Sequence, residues 1–400
     1  MSFIPQVVIN TGDSLELLKT LADNSIDSVV TDPPYELGFM DKDWDSTGIA
    51  YSVDLWKQCL RVLKPGGYLM AFSGARTYHR MVVAIEDAGF QIRDQIMWIY
   101  SSGFPKSHNV GLSIDKHLGH PNRGRAIPTA STFQASDEDK NNKLLSNPVD
   151  AYEAKSTEGQ QYTGWGTALK PAHEPICMAR KPLVGTVASN VLEYGTGAIN
   201  VDDCRVGSDT IQINRWTDGA KPFGGSEGSK FTSSEVVGRF PANVIHDGSE
   251  EVTSLFPDID GQLGAKRLVG GNFYSPKYKQ KMQSGVKDVG SASRFFYCSK
   301  ASKKERGEGN DHPTVKPIDL IRYLVRLVTP INGTVVDPFL GSGTTAIACV
   351  EESFNFVGYD LSEDYCRIAL SRIDDTRCTI KSNVLTRQQF YDDCWDNLDY

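Results

Sequence analysis

The chain has 400 residues, 40% of them hydrophobic and 23% charged, with a net charge of −8. That length exceeds one average domain, so two units or one domain with large insertions is expected for a soluble globular protein. No apolar run approaches the roughly 20 residues of a membrane span. The opening MSFIPQVVIN lacks the basic start and cleavage site of a signal peptide. Eight scattered cysteines form no CxxC pair, which argues against zinc and disulfide frameworks. A cytoplasmic, reduced protein with no metal is expected.

In chain order, residues 6–10 (QVVIN) read as a short apolar strand. Leu15, Leu17, Leu18 and Leu21 give 14–22 a helical spacing. A strand follows at 26–32, an amphipathic helix at 52–63, and then Lys64-Pro65-Gly66-Gly67 as a helix stop. Residues 68–74 are a buried strand, 76–89 a helix ending at Gly89, and 91–100 a longer strand. This alternation predicts a parallel α/β sheet.

The rhythm fails between 101 and 164, which is polar and without period. One more strand fits 173–183, whereas 184–293 holds many Gly and Ser and only short apolar pieces. Rhythm resumes with a helix at 317–330 that Pro317 can open, a strand at 333–339, a helix at 344–352 and a strand at 355–360. Ser362 is placed to cap a helix over 363–373. The economical reading is one sheet built from both chain ends, with a second module inserted between them.

The run VVDPFLGSGTTAIACV (335–350) reads as strand, glycine turn and helix, and Gly341, Gly343 and Ala346 satisfy GxGxxA. Asp360 ends the next strand, where an acid can hold ribose hydroxyls. A nucleoside-containing cofactor follows. No Gly-Lys-Ser/Thr is present, so a Walker loop is excluded. A dinucleotide would place its pyrophosphate at the helix N-terminus. Asp337 repels phosphate there and suits a cation, which favours S-adenosylmethionine over NAD. An NAD-dependent oxidoreductase stays open as the alternative.

The second segment is SVVTDPPYELGF (28–39). Two prolines fix an extended backbone whose carbonyls point in a set direction. The Asp32 carboxylate and the Pro33 carbonyl then offer two acceptors to an exocyclic NH₂, and Tyr35 offers a ring for a base to stack on. The lone pair of adenine N6 or cytosine N4 is delocalised into its ring. Accepting both hydrogens draws the nitrogen towards sp³ and lets it attack a sulfonium methyl, with positioning and electrostatics supplying the catalysis. Methylation at cytosine carbon 5 needs a cysteine, usually after proline, and no Pro-Cys pair occurs.

Together, VVTDPPY and VVDPFLGSGTT resemble the amino-group DNA methyltransferases, which modify adenine N6 or cytosine N4. With the catalytic motif first and the cofactor motif last, the order is similar to the β class, and HPTVKPIDLIRYLV (312–325) resembles the segment preceding its cofactor loop. LKPAHEPICMARKPL and GRFPANVIHD resemble phage and prophage members. The resemblance implies a bacterial or phage-encoded enzyme with a Rossmann-like sheet of about seven mostly parallel strands, one reversed. It implies that Asp32, Pro33, Pro34 and Tyr35 hold the target base. It implies that Asp337, Pro338, Phe339, Gly341, Gly343 and Thr344 line the S-adenosylmethionine site, with Asp360 on the ribose, Asp13 facing the adenine, and Thr314 and Lys316 near the methionine carboxylate.

On this reading 1–110 and 293–375 are the catalytic and cofactor-binding parts of one domain. Residues 111–164 are an irregular insertion, 165–185 a returning strand, 186–292 the target recognition region and 376–400 an acidic tail, whose last ten residues, YDDCWDNLDY, are expected to be loosely held. Residues 261–306 carry eleven Lys or Arg against two acids, so Lys266, Arg267, Lys277, Lys279 and Lys281 are the expected DNA contacts despite the negative total. An aspartate as first letter of the catalytic motif favours adenine N6, and base flipping is implied. A homodimer and a cognate restriction endonuclease remain open as partners. His173-Glu174 suggests a deaminase only superficially, because the intervening residue and a PCxxC are missing.

Overall fold

The computed structural model describes residues 4–37, 46–103, 107–120, 154–216, 231–260, 267–269, 279–281, 289–299 and 315–396. Two compact units emerge, one of Met1–Ile99 with Glu174–Tyr400 and one of Tyr100–His173.

In the larger unit the N-terminal part supplies β1 (Val7–Thr11), α1 (Ser14–Leu18), β2 (Ile26–Thr31), α2 (Val53–Val62), β3 (Leu63–Phe72), α3 (Tyr78–Asp87) and β4 (Gln91–Ile99). Asp13 caps α1 through Glu16 N–H, and Ser52 caps α2 through Leu55 N–H, which sets where each helix starts. All six residues of β2 are buried, as expected of a strand covered on both faces. Trp56 and Leu55 of α2 and Met81 and Ile85 of α3 are fully or almost fully buried with Leu63 and Leu69 of β3 in the core.

Lys64-Pro65-Gly66-Gly67 does not stop the helix as expected; β3 already begins at Leu63. Gly66 has φ +80°, and a Cβ there would lie 2.9 Å from Gly197 Cα, so this glycine serves close backbone approach. Lys64 pairs with Asp27 at 2.7 Å.

The smaller unit contains α4 (Val110–His117) and α5 (Thr157–Gln161), both within the stretch read as irregular. They are too short to show a period. The buried Asp115 links them by accepting from Lys155 N–H (2.7 Å) and Ser156 N–H (3.0 Å).

The chain returns through β5 (His173–Arg180) and α6 (Val187–Tyr194). Then come β6 (Val206–Trp216), β7 (Phe231–Arg239), β8 (Val244–His246), α7 (Glu250–Thr253), β9 (Asp258–Asp260), β10 (Arg267–Val269), β11 (Lys279–Lys281), β12 (Val289–Ser291) and β13 (Tyr297–Cys298). The C-terminal part is α8 (Ile318–Val328), β14 (Thr334–Asp337), α9 (Thr344–Glu351), β15 (Asn355–Asp360) and α10 (Glu363–Asp396). Pro317 is the N-cap of α8, and Leu320, Ile321, Leu324, Val325 and Val328 bury its apolar face. Ser362 accepts from Tyr365 N–H at the start of α10. Within the stretch expected as an acidic tail, α10 continues through Asp396.

Nine strands form one sheet in the order β1-β15-β14-β2-β3-β5-β4-β8-β13. The first seven match the expected sheet, with β5 antiparallel to β3. The other two extend it, and β8 comes from inside 186–292, so that segment also contributes to the main sheet. Three ribbons, β6–β7, β9–β12 and β10–β11, stand outside it.

Candidate active site

Strands β14 and β2 are parallel neighbours, with Val335 opposite Ser28 and Val336 opposite Val29. After β14 the chain passes through α9 to β15 on one side; after β2 it passes through α2 to β3 on the other. The two connections diverge, so a crevice opens at the carboxyl ends of this pair. Asp337 ends β14 and Asp32 follows β2, which places both quoted motifs at one crevice. A cavity of about 490 Å³ occupies it.

On the β14 side, Asp337 is 2% exposed. Its Oδ1 accepts from the Thr31 hydroxyl (2.6 Å) and from Phe339 N–H (3.0 Å). Burial pushes its carboxyl up to about 6, against the pull of those hydrogen bonds. Asp360 accepts from Gly341 N–H and Ser362 N–H, both at 2.8 Å, which folds the glycine turn over the end of β15. Burial raises its carboxyl as well. Gly343 has φ +85°, and a Cβ on it would lie 2.6 Å from Ala369 Cβ, so its lack of a side chain lets the turn sit on α10.

On the β2 side, Asp32 Oδ2 accepts from Lys316 Nζ at 2.5 Å, while Oδ1 has no hydrogen-bond partner among the described residues. Burial raises the Asp32 carboxyl above its ordinary value, with Lys316 opposing. The Tyr35 hydroxyl donates to Glu174 Oε2 at 2.7 Å. Burial, with Asp32 and Glu174 nearby, drives the Tyr35 phenol well up, so it stays protonated. Lys316 also lies 3.4 Å from Glu174 and 5.2 Å from the ring centres of both Tyr35 and Phe72. Burial works against the Lys316 charge, yet Asp32 and Glu174 outweigh it and raise its pKa.

Of the residues singled out from sequence, Asp32, Pro33, Pro34 and Tyr35 line the cavity, as do Asp13, Lys316, Asp337, Pro338, Phe339, Gly341, Thr344 and Asp360. Gly343 shapes the turn behind them. Thr314, Lys266 and Lys277 lie outside the described residues. Arg267, Lys279 and Lys281 pair on the ribbon of β10 and β11, with Arg267 opposite Lys281. Lys316, expected near a cofactor carboxylate, pairs its ammonium here with Asp32 and Glu174.

Sequence reasoning passed over Glu174 as a site residue. The available signal was its place at the start of a strand following a long insertion. Because β5 is reversed, its first residues emerge at the edge where β2 and β14 end. Thr31 was also passed over, although it directly precedes Asp32-Pro33-Pro34-Tyr35.

The family model described as DNA methylase, of the N6_N4_Mtase type, matches residues 26–371. The chain belongs to this DNA methylase family. The methylase is 21% identical to the type II methyltransferase M.HindIII of Haemophilus influenzae, covering 91% of this chain and 94% of the relative. It is 22% identical to M.SfiI of Streptomyces fimbriatus, covering 90% and 89% respectively. Among solved structures, the M1.HpyAVI–SAM complex is 16% identical over 92% of this chain and 99% of that one, with a TM-score of 0.40. Family membership replaces the oxidoreductase alternative.

The methylase's cavity suits a nucleoside with positive charge. The turn side chains Ser342, Thr344 and Thr345 carry no cation to meet a pyrophosphate, and the acids Asp337 and Asp360 flank the turn. Among the described residues no cluster of His, Cys, Asp or Glu could hold a metal ion, and no helix is long and apolar enough to cross a membrane.

Proposed function

We propose that this methylase transfers a methyl group from S-adenosylmethionine to the N6 amino group of adenine at a specific word in duplex DNA. One observation carries the reading above the others. Asp32, with one carboxylate oxygen unpartnered among the described residues, and the buried Asp337 open from adjacent strand ends into a single cavity.

The cofactor supplies an electrophilic methyl on a sulfonium. Asp337 and Asp360 provide the negative field for a cation and for ribose hydroxyls, and Gly341 brings backbone close to the ligand. Asp32 accepts a hydrogen of the target amino group, and the Pro33 carbonyl accepts the other. This localises the nitrogen lone pair towards the methyl. Tyr35 offers the stacking face. A base inside a duplex cannot reach the crevice, so the target base is flipped.

The aspartate of the catalytic motif supports adenine over cytosine. The basic stretch supports DNA as the polynucleotide. The type II names of the relatives support a restriction endonuclease as functional partner.

The test is mass spectrometry of nucleosides from DNA incubated with the protein and S-adenosylmethionine. N6-methyladenine is expected. N4-methylcytosine would move the target to cytosine, and unmodified DNA would refute the reading.

A further inference from the structure

The crevice holds one lysine ammonium between two carboxylates. Lys316 Nζ lies 2.5 Å from Asp32 Oδ2 and 3.4 Å from Glu174 Oε2. Its side chain is 8% exposed, so water cannot stand in for a lost anionic partner. Tyr35 is bound to the same Glu174 oxygen through its hydroxyl.

This arrangement weakens Asp32 for the work assigned to it. A carboxylate that already holds an ammonium is a weaker acceptor, because the cation draws on its lone pairs. Asp32 must accept from the amino group of the target base to raise the nucleophilicity of that nitrogen. Oδ1 is the oxygen left for a hydrogen of that group, and it becomes a stronger acceptor when Lys316 moves off Oδ2 as the base arrives. A desolvated ammonium moves only to another anion, and Glu174 is within a short swing of the lysine tip. The faces of Tyr35 and Phe72, each 5.2 Å from Nζ, line the space around that tip and favour a cation there.

We propose that Glu174 is a positioning residue that takes the Lys316 ammonium from Asp32 when the target base enters, while fixing the Tyr35 ring through its hydroxyl. No covalent bond changes in this step; one ion pair is exchanged for another. Glu174 reaches the crevice because β5 runs against its neighbour β3 and presents its first residues at the catalytic edge. The inference rests on the amino-methyltransferase reading above.

Glu174→Gln keeps an oxygen for the Tyr35 hydroxyl but cannot hold an ammonium. At saturating DNA and S-adenosylmethionine, its single-turnover methyl-transfer rate falls about 100-fold, the size expected when a reacting group is mispositioned. Its DNA dissociation constant stays at the wild-type value. Glu174→Asp, which keeps the charge, recovers most of the rate. Adding Lys316→Gln to Glu174→Gln removes the stranded ammonium and raises the rate above that of Glu174→Gln alone. A wild-type rate for Glu174→Gln, or a double variant no faster than that single variant, overturns the proposal.

A second readout needs neither DNA nor cofactor. Melting temperatures of the apoprotein, the two single variants and the double variant form a cycle. Non-additive shifts are expected, and additive shifts overturn the pairing. Absence of methyl transfer by the wild-type protein would instead refute the functional reading, and the apoprotein cycle separates that failure from this one.

Discussion

Thr31 donates its hydroxyl to Asp337 across 2.6 Å, joining the strand that leads into Asp32-Pro33-Pro34-Tyr35 to the strand that leads into the glycine turn. These residues are 306 positions apart, and the bond is buried. It ties together the two halves of the crevice, the ones proposed above to hold the target base and the cofactor. Thr31→Val keeps the shape and removes the donor, so the fold loses about 1–2 kcal/mol. The Asp337 carboxyl then rises further above 6. Urea unfolding reads the first effect, and cofactor titration calorimetry at pH 6 and pH 8 reads the second as a steeper loss of affinity at the lower pH.

On the proposed mechanism, Asp32→Ala removes the acceptor that localises the amino lone pair. Methyl transfer falls by at least about 100-fold, comparable to losing one preorganised electrostatic group. Cofactor binding stays within about two-fold, a change of only a few tenths of a kcal/mol, because Asp337 and Asp360 are untouched. Tritium transfer to DNA and calorimetric titration measure the two quantities, and a near-normal transfer rate would remove Asp32 from its role.

The pH dependence of Asp337 has a definite sign. Its folded carboxyl is at about 6, above the ordinary 3.8. The stability this contributes is fully present below the unfolded value and is lost as pH rises through about 6. Ionised Asp337 therefore burdens the apoprotein at neutral pH. Asp337→Asn makes the apoprotein more stable than wild type above pH 6, by up to about 3 kcal/mol at 1.36 kcal/mol per pKa unit. The gap closes towards pH 4. The same variant binds S-adenosylmethionine more weakly, since a cation loses its buried anion. Melting curves across pH 4–8 and cofactor titration check both; unchanged cofactor affinity would remove Asp337 from the site.

Gly343→Ala places a Cβ 2.6 Å from Ala369 Cβ at φ +85°. Backbone strain alone costs about 1–3 kcal/mol, and the turn must lift off α10. Lower stability and weaker cofactor binding are expected together, read by unfolding and by titration.

Replacing Lys277, Lys279 and Lys281 with Gln weakens DNA binding. If each meets one phosphate, the slope of log affinity against log salt drops in magnitude by about 2.7. Fluorescence anisotropy over a salt series measures it, and an unaltered slope would place the DNA contact elsewhere.

Local signals along the chain determined most of the fold's elements. The apolar run of β2, the spacing of α8 and the turn at Gly341–Gly343 all depend on residues close together in sequence. Asp32 and Asp337 were legible for the same reason: a strand, a breaker and an acid stand side by side. Hydrophobic period tells which face of a strand is buried, but not which strand lies next to it or which way it runs. Only the tertiary structure decided that β5 is the reversed strand, and so brought Glu174 to the crevice. It alone joined Lys316 to Asp32 across 284 positions, and added β8 and β13 beyond the seventh strand. Those partnerships are set by sheet order and strand direction, which a local pattern does not encode.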